Sequence, residues 1–214
     1  MRDGKDIQLI GGEVCLDFIN TIHDRSVENS ADYLEGGYPS LLQWSEYSGV
    51  WDRKVFLKLQ SEHRTQNERS HVYQQAIMLR KILFDIFGSM ADYKKIPPAA
   101  LSTFNAFLSS AFLHKKVVAY KNKYLSEWEL SDSSADWLLW PIVESAYLLL
   151  TGDQLQKIKK CPACFWVFLD KSKGGKRKWC SMDTCGAIDK SRRHYHLKIK
   201  NKLYDSKNVA RSSP

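Results

Sequence analysis

Apolar residues recur every three or four positions over most of the first 150 residues, and this spacing predicts a domain built from amphipathic helices. The strongest pattern runs from 70 to 93. The other segments that we predict to be helical are 13–24, a short helix opened by Pro39 and Ser40 and ended near Gly49, 53–62, a helix starting near Pro98, and 134–150.

Two stretches interrupt the helical pattern. The polar run from Asp24 to Gly37 predicts a loop. Further along, β-branched and aromatic residues flank Lys121-Asn122-Lys123, which predicts a β-hairpin. We place a boundary at Gly152-Asp153, so that residues 1–152 form a mainly α domain with a small hairpin and residues 153–214 form a second domain.

Four of the five cysteines lie in the second domain, as two close pairs. Cys161 and Cys164 form a C-x2-C pair, and Cys180 and Cys185 form a C-x4-C pair 15 residues later. Zinc takes four ligands tetrahedrally, and two such pairs brought together supply them. The spacing therefore predicts one zinc ion. Cys15 stands apart in an apolar run and is predicted to be a small buried side chain.

The residues around the cysteine pairs predict how the pairs meet. Residues 165–170 alternate as in a strand, Gly174-Gly175 supplies a turn, and 176–179 would return as a second strand. A helix is expected after Cys185, because no Gly or Pro occurs between Ala187 and Pro214. This order of knuckle, hairpin and helix predicts a finger of the zinc-ribbon or treble-clef kind.

Four thiolates would fill the coordination shell, so the zinc ion is expected to be structural. It would stabilise a module whose own core is small. Four free thiols are the alternative. His194 and His196 are alternative ligands, which we interpret instead as surface residues of the helix.

Positive charge is concentrated in the second domain. Residues 151–214 hold 16 Lys and Arg and 5 Asp and Glu, a net of +11, in a chain whose total is +8. Such a surface attracts phosphates, and a helix at the end of a finger can enter a DNA groove. RNA, an acidic protein and a purely solvated tail are the alternatives. The residues predicted to contact DNA are Lys176, Arg177, Lys178, Lys190, Arg192 and Arg193.

The first domain offers little recognisable chemistry. Asp17, Asn20, Arg25 and Arg80, with His23 beside them, are predicted to line a polar ligand pocket, the alternative being ordinary surface and hydrogen-bonded polar groups. The sequence shows neither a nucleotide-binding glycine loop nor a nucleophile motif, so no enzyme is expected. Without a long apolar stretch or a secretory signal, the protein is predicted to be cytoplasmic.

The stretch CPACFWVFLDKSKGGKRKWCSMDTCG resembles the CGNR zinc finger, a family that shows C-x2-C, Phe-Leu-Asp, Trp-Cys-Ser-Met and then Cys-Gly-Asn-Arg. Leu16-Asp17-Phe18-Ile19-Asn20-Thr21 and Leu79-Arg80 resemble the α-rich ABATE domain that precedes this finger. Ala187-Ile188 stands where the family has Asn-Arg, which removes an arginine that would contact phosphate or a base.

The resemblance implies a zinc-dependent transcription regulator that binds DNA through the finger and senses a small molecule or stress through the first domain, with a second copy as a further candidate partner. The rival hypothesis is a protein-interaction module in which the finger docks on the α domain or on another chain. The departure at Ala187-Ile188 favours this rival.

Overall fold

The computed structural model describes residues 7–61, 64–130 and 136–211. The first domain contains six helices and one hairpin within these ranges. Its elements are α1 (Val14–Ile19), α2 (Tyr38–Tyr47), α3 (Arg53–Ser61), α4 (Gln66–Ala91), α5 (Pro98–Phe112), β1 (Lys115–Tyr120), β2 (Lys123–Trp128), a 3₁₀ turn (Asp136–Leu139) and α6 (Trp140–Thr151). A second 3₁₀ turn (Leu155–Lys157), β3 (Ile158–Lys160), β4 (Val167–Leu169), a π-helical turn (Met182–Gly186) and α7 (Ala187–Arg211) follow.

Helix α4 is the central element of the first domain, and α1, α2 and α5 pack against it. It begins at a capping box, in which the amide of Glu68 donates to Thr65 Oγ1 (3.2 Å) and the amide of Thr65 donates to a Glu68 carboxylate oxygen (2.7 Å). The apolar stripe of α4 is buried, with Val72, Leu79 and Leu83 fully inaccessible to solvent. The helix starts before residue 70, the first position of the predicted segment, because capping rather than apolar spacing sets this end.

The first predicted helix is shorter than its apolar pattern suggests. The pattern covers 13–24, yet α1 ends at Ile19. After it, Ile22 forms an isolated antiparallel bridge with Asp32. The side chain of Asn20 bonds to the backbone of Val167 in the second domain. The chain leaves the helix at this point because its polar groups are used in contacts with other parts of the fold.

The first hairpin is confirmed. Strands β1 and β2 pair antiparallel, with Lys115 opposite Trp128 and Tyr120 opposite Lys123. Lys121 sits in the turn with a positive φ of 52°. Trp128 anchors the hairpin to the helices, because its ring packs against Phe112 and Trp140.

The predicted hairpin within the finger is wrong in its pairing. Strand β4 forms as expected, but its partner is β3, which precedes the first cysteine pair, and the register places Lys159 opposite Phe168. Segment 176–179 is not a strand. The knuckle between Cys161 and Cys164 reverses the chain tightly enough for the strands on either side of it to pair. The predicted helix after Cys185 is confirmed as α7.

The two domains share a hydrophobic core. Ile158, Val167 and Leu169 of the β3–β4 sheet join the core formed by the helices. A second cluster contains Trp166, Phe168 and Trp179 around the cysteines. The boundary at 152/153 stays a prediction, and the strands that follow it pack on α1 and α4. In the part of the chain that the structure describes, no helix has the length and apolar character needed to span a bilayer.

Candidate metal centre and the basic surface around it

The four paired cysteines converge on one point. Their ligand atoms all lie within 4.8 Å of one another. The Sγ atoms of Cys164 and Cys180 are 3.5 Å apart, and so are those of Cys180 and Cys185. Four sulfurs at about 2.3 Å from a tetrahedral zinc ion lie about 3.8 Å from one another. The cluster therefore fits one zinc ion with a closed shell of four sulfurs.

The first pair lies in a tight knuckle after β3. The amide of Cys161 donates to the carbonyl of Trp166 (2.8 Å), and the amide of Phe165 donates back to the carbonyl of Cys161 (2.9 Å). Phe165 adopts a left-handed conformation, with φ of 59°, which closes the turn. Both sulfurs of the pair consequently face the same side of the chain.

The second pair spans the π-helical turn. Ser181 caps this turn, because its hydroxyl accepts from the amide of Thr184 (3.3 Å) and its carbonyl accepts from the amide of Gly186 (3.0 Å). Gly186 is buried, and a Cβ there would lie only 3.1 Å from the side chain of Met182. Turns of this kind often mark functional sites, and here the turn places Cys185 next to Cys180.

The electrostatic environment of the four sulfurs favours the binding of a cation. The neighbouring thiols of Cys161 and Cys164, together with burial, raise the pKa of Cys180 far above its ordinary value. Without a positive ion the sulfur of Cys180 therefore keeps its proton. A divalent metal displaces this proton, so its affinity rises with pH.

Asp170 anchors the loop between the two pairs. Its carboxylate is fully buried and accepts from Lys159 Nζ (2.7 Å), the amide of Arg177 (2.9 Å) and both the amide and the hydroxyl of Ser172 (3.0 and 2.6 Å). Although burial acts to raise it, these hydrogen bonds hold the pKa of Asp170 well below its usual range. Sequence reasoning noted this aspartate only as part of a family motif and missed this role.

The six predicted DNA-binding residues differ in their surroundings. Arg177 is turned toward the finger, where it donates to the carbonyls of Trp179 and Cys180 and lies over the ring of Phe168, with 4.5 Å to its centroid. Arg193 pairs with Asp189 on the same helix (2.9 Å). The remaining four are exposed, and in the described ranges no ion pair involves them: Lys176, Lys178, Lys190 and Arg192.

Helix α7 projects from the metal centre. Its main contacts are with the π-helical turn, and each of residues 190–199 is exposed. A shallow groove runs along it, lined by Lys190, Ser191, His194, Tyr195 and Lys198. His194 and His196 lie on this exposed helix, as predicted, and the cysteine cluster does not include them.

The four residues of the predicted ligand pocket are bonded to other parts of the protein. Asp17 accepts from the amide of Gly11 (2.7 Å). The carboxamide of Asn20 bonds to Val167, and the guanidinium of Arg25 bonds to the carbonyl of Ile19 and lies over Phe84. The guanidinium of Arg80 donates hydrogen bonds to the carboxylate of Asp32 and to the hydroxyl of Thr21. None of the four lines the cavity of about 230 Å³ that lies between α4, α5 and α6.

That cavity is mostly apolar and was not anticipated from the sequence. Its polar members are Gln75, Thr103, Ser110 and Asp136. One carboxylate oxygen of Asp136 is buried and has no hydrogen-bond partner among the described residues. The apolar walls are formed by Met78, Ala106, Phe107, Leu139, Trp140 and Val143. A sequence pattern gives no signal for this site, because its residues come from α4, from α5 and from the segment 136–143, which are separated along the chain.

A closed set of four cysteines, mounted on a helical domain and followed by a basic helix, defines a zinc-finger protein whose metal is structural. Residues 157–198 match the family model described as CGNR zinc finger. Residues 12–153 match the ABATE model, described as "Putative stress-induced transcription regulator". The chain therefore belongs to the ABATE family and carries a C-terminal CGNR zinc finger. No curated protein matches the chain.

Ala187 and Ile188, which stand where the CGNR family has Asn-Arg, lie at the start of the basic helix. These two residues begin α7, directly after the π-helical turn that carries Cys185. Ile188 is half exposed and makes an apolar spot at the base of the basic helix. The four cysteines are present, so the metal centre does not depend on this departure.

Proposed function

We propose that this protein is a zinc-dependent regulator of transcription that binds DNA through the basic surface around its metal centre. The observation that carries the proposal is the set of four exposed cations without an ion pair among the described residues, on the finger loop and the first turns of α7. A closed site of four cysteines has no open position for a substrate, so the metal can act only by holding this surface in shape.

The arrangement suits phosphate contacts. Lys176 and Lys178 lie before Cys180, whereas Lys190 and Arg192 lie shortly after Cys185, so the zinc ion holds both groups on one small scaffold. Charge of this kind gives affinity without sequence preference. Four phosphate contacts would give a slope of about −3.6 in a plot of log K against log salt concentration.

The test is binding to a random-sequence duplex pool, measured at several salt concentrations with and without a zinc chelator. We expect Lys178→Ala, Lys190→Ala and Arg192→Ala together to weaken binding and reduce the salt slope by about three. The matched control replaces three exposed lysines of the first domain, Lys95, Lys121 and Lys123, with alanine. Equal affinity in both triple variants, or binding that survives chelation, would contradict the proposal.

A protein-interaction module is the second candidate, and Ile188 favours it. Ile188, Tyr195 and Ile199 recur at helical spacing and leave an apolar stripe exposed among the cations of α7. An acidic partner with apolar side chains would suit that stripe better than phosphate does. Retention of an acidic protein at physiological salt, without retention of nucleic acid, would support this candidate over the first.

For ligand sensing, we place the proposed site in the cavity between α4, α5 and α6, because Oδ1 of Asp136 is buried there and accepts no hydrogen bond among the described residues, with His71 Nε2 4.0 Å away. Ser110→Phe should fill the cavity and abolish a ligand-induced rise in melting temperature, whereas Ser109→Phe, at a neighbouring position that does not line the cavity, should not. A second copy of the chain stays a proposed partner, and sedimentation with and without DNA tests it.

A further inference from the structure

The motif Leu16-Asp17-Phe18-Ile19-Asn20-Thr21 has no part in the proposed contacts with DNA or ligand. In the structure the segment that contains it, residues 11–25, lies against the knuckle and β4. We name residues 11–25 the docking segment. Its hydrogen bonds to the finger fall on Cys164 and on residues between the two cysteine pairs.

The docking segment takes the place of a third strand. A two-stranded sheet of three residues per strand has little stability of its own. β4 pairs with β3 along one edge, while on its other edge the amide of Leu169 donates to the carbonyl of Gly11 (2.8 Å). On the same edge the carboxamide of Asn20 accepts from the amide of Val167 (3.0 Å) and donates to its carbonyl (2.8 Å).

Gly11 is required for this approach. A Cβ on residue 11 would lie 2.8 Å from the amide nitrogen of Asp17, closer than real Cβ atoms come. The carboxylate of Asp17 in turn accepts from the amide of Gly11, which fixes the carbonyl that Leu169 uses. The start of the motif therefore positions one acceptor for β4.

The end of the segment holds the knuckle itself. The amide of Arg25 donates to the carbonyl of Cys164 (3.0 Å), and Cys164 is one of the four metal ligands. The indole N–H of Trp166 donates to the carbonyl of Ile22 (2.7 Å). The backbone that aims the Cys164 sulfur is thus fixed from the first domain.

We propose that Asn20 is a positioning residue for the zinc site, and that the docking segment completes the finger so that zinc retention and packing of the two domains are coupled. Asn20 is only 2% exposed and sits at the end of α1. Its carboxamide satisfies the donor and the acceptor of a residue three positions after Cys164. Groups outside the coordination shell commonly change metal affinity 10- to 100-fold. This proposal rests on the metal centre and is independent of DNA binding.

The test compares zinc release to a chromogenic chelator from the full-length, zinc-loaded protein. We expect Asn20→Ala to raise the release rate about tenfold. The control is Leu41→Ala, which opens a fully buried site in α2, away from the finger, and lowers the melting temperature. A release rate in Asn20→Ala no higher than in Leu41→Ala would overturn the proposal.

A milder variant covers the case in which Asn20→Ala does not fold. Trp166→Phe keeps a six-membered aromatic ring in the buried cluster of the finger and removes the five-membered ring with the N–H that bonds to Ile22. We expect this change to raise the release rate at least threefold, and an unchanged rate would count against the proposal. Hydrogen exchange supplies a second readout, because chelation of the wild-type protein should expose the amide of Arg25 while the amides of α5 stay protected. Equal protection of Arg25 with and without zinc would also overturn it.

Discussion

The guanidinium of Arg80, on the buried face of α4, holds the carboxylate of Asp32 through two hydrogen bonds of 2.6 and 2.5 Å. The same guanidinium donates to the hydroxyl of Thr21 (2.8 Å). Although burial opposes it, the contact with Arg80 lowers the pKa of Asp32. The loop from Asp24 to Gly37 is therefore fastened to the central helix next to the end of the docking segment.

Arg80→Lys should destabilise the protein by about 3 kcal/mol, since a lysine cannot make the paired hydrogen bonds to Asp32 and the side chain at this site is nearly inaccessible. Equilibrium unfolding in urea measures the change. Arg69→Lys, at an exposed position of the same helix, is the control and should change stability by less than about 0.5 kcal/mol. Similar losses in both variants would show that the ion pair contributes little.

Asp170→Asn should cost about 3 kcal/mol, because the amide removes the charge that faces Lys159 and cannot accept from all of the donors around it. The loop that carries Lys176 should loosen, so zinc should also leave faster. Urea unfolding of the zinc-loaded protein and the chelator assay measure the two effects. Asp153→Asn, at an exposed site, should match the wild type in both.

Arg177 and Lys176 are neighbours with different predicted roles. Arg177→Ala should lower the melting temperature and speed zinc release, because the guanidinium bonds to the carbonyls of Trp179 and Cys180. Lys176→Ala should leave both unchanged and weaken DNA binding only. Thermal unfolding and binding isotherms of the two variants separate these outcomes. A stable Arg177→Ala protein with normal zinc retention would show that its contacts with the finger are dispensable.

The stability of the protein should depend on pH through Asp17. Burial raises the pKa of Asp17 from 3.8 to about 6. Because the pKa of Asp17 is higher in the folded state than in the unfolded state, proton binding by Asp17 stabilises the folded state. This stabilisation is complete below about pH 4 and is lost as the pH rises past about 6. The loss is at most about 3 kcal/mol.

Asp17→Asn keeps an oxygen for the amide of Gly11 and does not titrate. The difference in unfolding free energy between the variant and the wild type should therefore grow in favour of the variant between about pH 4 and about pH 7. Urea unfolding of the two proteins, compared at equal zinc content at each pH, gives this difference directly. A difference that is constant with pH would place the pKa of Asp17 at its ordinary value.

Metal content provides the most direct test of the centre. The wild type should contain one zinc ion per chain by elemental analysis, and Cys164→Ser should contain none or lose it at once to a chelator. Cys15→Ala is the matched control, since Cys15 is buried in the helical core and lies outside the cluster. Loss of zinc from both variants would indicate general unfolding rather than loss of a ligand.

Several features of the protein could be predicted from neighbouring residues alone. Each of these features is a short-range pattern. The cysteines lie in two close pairs, the apolar residues of α4 recur every three or four positions, and β-branched and aromatic residues flank Lys121-Asn122-Lys123. Such spacings fix the direction of side chains within one element, so they hold in almost any surroundings. The zinc ion and the main helices followed from them, whereas the helix after Cys185 was expected because no Gly or Pro occurs between Ala187 and Pro214.

The partners of the polar groups were decided by the tertiary structure. Asn20 and Val167 are 147 positions apart, and Arg80 and Asp32 are 48 apart, with no periodic pattern that relates them. The sequence therefore pointed to Asn20 and Arg80 as polar groups but placed them in a ligand pocket. Likewise, the pairing of β4 with β3 depends on how the knuckle turns the chain, because a strand pattern shows which residues alternate and not which edge they will meet.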